Sequence, residues 1–164
     1  MGVTMKFKWF SILLIVLVVL SACSSVDPKE YMDEVYIAAL DALMEEDPGL
    51  NNDMAFIAID MSNFNYIDED EQTEILNFFK ETYQVDVMDA TFEQLKEMGL
   101  YNEEDHSLYG VLLKIEEVEF KFNNKVFFKA SKFRSGKGAI GVEGKVYYKN
   151  DEWKKKDVEI KWIS

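Results

Sequence analysis

The chain predicts an α+β domain in which N-terminal helices pack on a C-terminal four-stranded antiparallel meander. Two observations carry this. Between Asp27 and Gly99, apolar residues recur mostly at helical spacing behind recognisable start signals, whereas from Gly110 they alternate with period two between short turns. Helices first and strands afterwards place the helices together on one face of an antiparallel sheet.

The elements follow in order. Asp27-Pro28 supplies a capping side chain and a proline suited to a first helical turn. Tyr31, Val35, Ala38 and Ala42 with Met32, Tyr36, Ala39 and Leu43 form the apolar stripe of a helix that Asp47-Pro48-Gly49 should end. The continuous run Met54 to Ile59, closed by Asp60, has the length and flanks of a buried strand. Asp68 with Glu71 opens a helix to about Tyr83, Val85 to Met88 is a short strand, and Thr91 with Gln94 opens a helix that stops at Gly99. The meander then reads Val118, Phe120, Phe122; a turn at Asn123-Asn124; Val126, Phe128, Ala130; a turn from Ser135 to Gly138; Ile140 to Tyr148; a turn at Asn150-Asp151; and Val158, Ile160, Trp162. A long first helix, short helices and a curled antiparallel sheet resemble the cystatin-like and nuclear-transport-factor-like folds. That resemblance implies a space between helix and sheet and selects no activity.

The start of the chain carries an address. Lys6 and Lys8 precede a hydrophobic run from Trp9 to Leu20, and Leu20-Ser21-Ala22-Cys23 closes it with small residues and the chain's one cysteine. The run is too short for a transmembrane anchor, which needs about 20 apolar residues. Lys6 stands where N-myristoylation asks for Ser or Thr. Leu20 to Cys23 resembles the lipobox of bacterial lipoproteins, which implies cleavage before Cys23, lipid attachment at Cys23, and retention on the extracytoplasmic side of the bacterial cell membrane. The expected organisation is a signal peptide over 1–22, a lipidated tether over 23–26 and one α+β domain over 27–164.

Removing 22 residues from the 164 leaves 142, enough for one continuous core. With a single cysteine, an intramolecular disulfide and a Cys-ligated zinc site are both excluded. Charge is unevenly divided. Asp27 to Gly110 carries −20, and Val111 to Ser164 carries +5. Such asymmetry bears on partners and orientation rather than on fold.

Several motifs are best read structurally. Gly136-Lys137-Gly138-Ala139-Ile140-Gly141 spells a dinucleotide fingerprint, but a strand follows where the pyrophosphate needs a helix N-terminus. Asp68 to Glu74 lacks calcium-loop spacing, with Thr73 at the glycine position and Phe79 at the final ligand position. A lone histidine, His106, builds no triad. Asp60, ending the most apolar strand, reads as a turn cap.

No catalytic residue, metal ligand or cofactor is therefore expected, and no nucleic-acid partner. The one surface singled out is basic: Lys129, Lys132, Arg134, Lys137, Lys145, Lys149, Lys154, Lys155 and Lys156 fall on one sheet and its turns. Several lie on the face opposite Phe128 and Ile140, and a short tether could turn that face toward membrane or wall polyanion. The leading expectation is a noncatalytic envelope module with a protein partner. The alternatives are a small-ligand binder with a pocket between helix and curled sheet, or a transporter's solute-binding lipoprotein, for which the chain is too short to form two closing lobes.

Overall fold

The computed structural model describes residues 26–164, so the signal, the lipobox and Cys23 lie outside the described residues. Asp27 caps a single 3₁₀ turn, Pro28–Glu30, rather than a long helix; its carboxylate accepts from the Lys29 amide at 3.0 Å. Tyr31, at φ −139° and ψ 35°, breaks the path before helix α1, Met32–Glu45. After α1 the chain turns through Asp47 in left-handed conformation into a second 3₁₀ turn, Pro48–Asn51.

The sheet corrects the sequence expectation. The sequence predicts four antiparallel strands, whereas the described residues build a mixed seven-stranded sheet with three α-helices. Strand β1, Phe56–Asp60, lies between β2, Asp86–Asp89, and β4, Ser107–Lys121, and runs parallel to both. Helix α2, Glu69–Tyr83, makes the crossover from β1 to β2 that a parallel pair requires. Helix α3, Phe92–Glu97, and the two-residue strand β3, Tyr101–Asn102, lead into β4. From β4 the chain returns antiparallel through β5, Lys125–Ser135; β6, Gly138–Lys149; and β7, Glu152–Ile163. The order across the sheet is β2-β1-β4-β5-β6-β7.

The helices are not all on one face either. Successive strand residues point to opposite sides. Ile57 and Ile59 join Val111, Leu113 and Ile115 under α1 and α2, whereas Phe56, Ala58, Leu108 and Leu112 form a second cluster with Leu95 of α3. All five residues of β1 are therefore buried. Both helix starts after β1 are reciprocal caps. Asp68 accepts from the Asp70 and Glu71 amides while Glu71 accepts from the Asp68 amide, and Thr91 and Gln94 exchange the same pair of bonds.

The larger core depends on close approach at one glycine. A Cβ at Gly144 would sit 2.7 Å from the Phe128 ring. Phe128, fully buried, thus lies flat against the neighbouring strand and fills the space beneath α1.

Candidate functional site

Helix α1 is apolar around more than half its circumference. Val35, Tyr36, Ala39, Leu40 and Leu43 are buried against the sheet. A second stripe, Glu34, Ile37, Ala38 and Asp41, has the i, i+3, i+4, i+7 spacing of one helix face and remains partly open. It lines a groove of about 630 Å³ whose other walls are Phe78 of α2, Tyr147 of β6 and the start of β7. Strand β7 is the last in the sheet order, so its outer edge is unpaired by any described strand.

Trp153 forms the buried part of this groove. In register opposite Tyr148, it packs against that ring at 5.5 Å and is only 8 % exposed. Its indole Nε1 has no hydrogen-bond partner among the described residues. A buried donor left unpaired costs about 1–3 kcal/mol; because the atom is closed off from solvent, an acceptor on a bound molecule reaches it only if the indole turns toward the groove.

The rim is charged with both signs. Lys155 pairs with Asp41 at 3.9 Å and also with Glu45, and Lys154 pairs with Glu152 at 3.0 Å. The Tyr83 hydroxyl donates to Asp41 at 2.8 Å; burial first, then the Asp41 carboxylate, raises the Tyr83 pKa. Burial and the neighbouring Asp33 charge raise that of Glu34. The arrangement suits an amphipathic occupant: apolar wall, one orphan donor, polar margins.

A smaller cleft of about 370 Å³ lies between the start of α1, the loop after β1, and β4. Here the polar groups already satisfy one another. The Tyr36 hydroxyl accepts from the Asn65 amide at 2.9 Å, and Asn63 Nδ2 donates to the Ile115 carbonyl at 3.2 Å. Asp60 beneath it is 5 % exposed, accepts from the Ser62 amide at 3.0 Å and pairs with Lys114 at 3.3 Å. Burial pushes its pKa up, but the Ser62 bonds and the Lys114 ammonium outweigh this and leave it lowered.

The basic residues singled out in the sequence do not form one surface. Lys132 is fully buried. It caps the C-terminal end of α1, donating to the carbonyls of Met44 at 3.3 Å, Glu46, and Asp47 at 3.2 Å, and to Asn51 Oδ1 at 3.0 Å. The last carbonyls of a helix lack intrahelical partners, and here an ammonium from β5 meets that of Met44 together with those of Glu46 and Asp47 just past the helix end. Burial pulls its pKa down to about 8, against the pull of Asp47 and Glu46. Arg134 donates to the Leu50 and Asn52 carbonyls and pins the same loop. Lys129 pairs with Glu117 at 2.6 Å and Lys145 with Asp157 at 3.4 Å. Lys155 faces α1, and Lys154 is tied to Glu152. Lys137, Lys149 and Lys156 have no ion-pair partner among the described residues, and the first two sit at turns on opposite ends of β6.

Among the described residues, no group of three or more His, Cys, Asp or Glu side chains is arranged to hold a metal ion, and no helix is long and apolar enough to cross a membrane. The comparisons add nothing to the site: no protein-family model, no curated protein and no solved structure matches the chain.

Proposed function

We propose that this chain is a bacterial envelope lipoprotein, lipidated at Cys23 and held on the extracytoplasmic side, whose domain is a noncatalytic binding module. Its occupant is an extended segment of an envelope protein, laid along the free edge of β7 with an apolar side chain in the groove, where the Trp153 indole turns on binding to donate from Nε1 to a main-chain carbonyl. Strand addition of this kind draws affinity from main-chain hydrogen bonds and specificity from the flanking pocket. The observation that supports it most is the orphan indole N–H in an apolar groove directly beside an unpaired strand edge.

The same N–H favours a second reading, a small amphipathic ligand confined to the groove and carrying a hydrogen-bond acceptor. The two separate in one experiment. A photo-crosslinking residue is placed at Ala38, in the groove wall, or at Glu93 on the opposite face, in the lipidated protein in its own envelope. A discrete protein adduct from Ala38 alone supports strand addition. A retained small molecule with no protein adduct supports the ligand reading, and equal labelling from both positions overturns both.

A further inference from the structure

Three aromatic side chains gather at one end of the domain with no core to cover them. Phe122, at the tip of the β4–β5 hairpin, is 94 % exposed; Phe120, two residues earlier on the same face of the strand, is 39 % exposed, and Tyr66 is 57 % exposed. Tyr66 and Phe120 meet edge to face at 5.9 Å. An isolated exposed apolar side chain is ordinary, but here the grouping coincides with a second feature.

The chain leaves toward Cys23 from this same end. The Asn124 carboxamide, oriented as its partners require, donates to the Val26 carbonyl at 3.0 Å and accepts from the Val26 amide at 3.2 Å. Lys29 lies over the Tyr66 ring at 5.0 Å and over Phe120 at 5.4 Å, and Tyr31 packs on Tyr148. Three Cα–Cα steps separate Cys23 from Val26, a reach of about 11 Å at most.

We infer that Phe122, with Phe120 and Tyr66 beside it, seats in the interfacial layer of the lipid bilayer and fixes the domain upright on its anchor. The inference rests on lipidation of Cys23. Given that anchor, Val26, held by Asn124 of the hairpin turn, lies within about 11 Å of the lipidated residue, which brings the tip close to the depth where aromatic rings are preferred. The insertion is aromatic rather than electrostatic. Lys29, Lys121, Lys125 and Lys149 at this end are offset by Asp27, Glu30, Glu119 and Asp151, and Asp68 to Glu71 follow closely after Tyr66. Contact therefore does not need anionic lipid, and it survives high salt.

A lipidated Phe122→Cys variant tests this, because acylation blocks Cys23 and leaves one reactive thiol. An environment-sensitive dye at 122 is compared with the same dye on Lys137→Cys, at the far end of β5, about 36 Å away along an eleven-residue strand. Mass analysis of the N-terminal peptide first establishes the acyl chains; if they are missing, the lipoprotein reading has failed. In protein-free zwitterionic vesicles the dye at 122 is expected to shift to the blue and to be quenched by nitroxide lipids, while the dye at 137 reports water. With acyl chains present, equal aqueous signals at the two positions overturn the inference. So does a blue shift at 122 that appears only when envelope proteins are added, which would make the tip a protein contact instead.

Discussion

Lys132 offers the sharpest test of the fold's internal electrostatics. It is fully buried and its pKa falls from 10.5 to about 8 because burial penalises the ammonium. The folded value lies below the unfolded one, so between pH 8 and 10.5 the unfolded chain holds a proton that the folded chain does not. The Lys132 contribution to stability therefore rises with pH across that window. A pKa fall of this size is worth about 3 kcal/mol in total, most of which appears between pH 7 and pH 10. Replacement by Met removes the titrating group and leaves the Glu46 and Asp47 carbonyls without this donor, while Met44 keeps its bond from Asn51 Nδ2 at 2.8 Å. Urea denaturation of both proteins at pH 7, 8, 9 and 10 gives the difference directly, and common titrations such as that of Tyr83 cancel. The stability advantage of the native protein over Lys132→Met should widen by about 2–3 kcal/mol over this range. A difference that does not change with pH would refute the lowered pKa of the buried ammonium, and a narrowing one would mean that the pKa is raised.

Three further outcomes follow from the same geometry. Gly144→Val puts a side chain into the Phe128 ring and should cost about 1–3 kcal/mol in thermal or urea unfolding; no loss would show that the two strands do not approach so closely. Trp153→Phe removes a donor that has no partner among the described residues. The unliganded domain should therefore lose only the packing of the missing part of the ring, about 1–3 kcal/mol, while capture of the groove's occupant falls; unchanged capture would contradict the role given to the indole N–H. Asp60 has a lowered pKa, so its ionised form stabilises the fold above the unfolded carboxylate range, and that stabilisation disappears as pH falls through the folded value. The gap between native protein and Asp60→Asn should close on acidification from pH 5 to pH 2, and a gap that opens would reverse the assignment.

How much of this could be read from residues follows the range of each interaction. The caps at Asp68 and Glu71 and at Thr91 and Gln94 are three-residue devices, and the positive-φ turns at Asn123-Asn124 and Asn150-Asp151 are shorter still. They are legible because nothing distant takes part. The pairing of Ile57 with both Val87 and Val111 is another matter, since a parallel ladder leaves no turn signal between its strands. One clue was present. An uninterrupted apolar run from Phe56 to Ile59 implies cover on both faces, which is incompatible with helices on one side only. Lys132 carried a clue as well: counted from Val126, Phe128 and Ala130, it falls on the inward register. Reading it among surface lysines followed its charge and ignored its phase. Trp153 is legible as an inward tryptophan, but its orphan donor depends on α1 and α2 lying where they do.

The groove and the hairpin tip constrain one another. Trp153 stands in register with Tyr148, whose amide donates to the Asn124 carbonyl in the β4–β5 turn at 3.3 Å. Asn124 is also the residue that holds Val26. The orphan indole is thus in the same row of the sheet as the point where the chain departs toward Cys23, and Glu34, Ile37 and Ala38 on the groove's far wall belong to the first half of α1. The chain just past the C-terminal end of that helix, Glu46 and Asp47, lies at the other end, near Lys132. A domain anchored through Cys23 and seated on Phe122 would open its groove sideways, just above the headgroups, and carry much of its acidic surface farther out. An occupant would then have to be presented at the membrane surface, by a juxtamembrane segment of another protein. A soluble factor approaching from outside would meet the acidic helix end before the groove, and lengthening the tether would relax that preference without altering any contact in the groove itself.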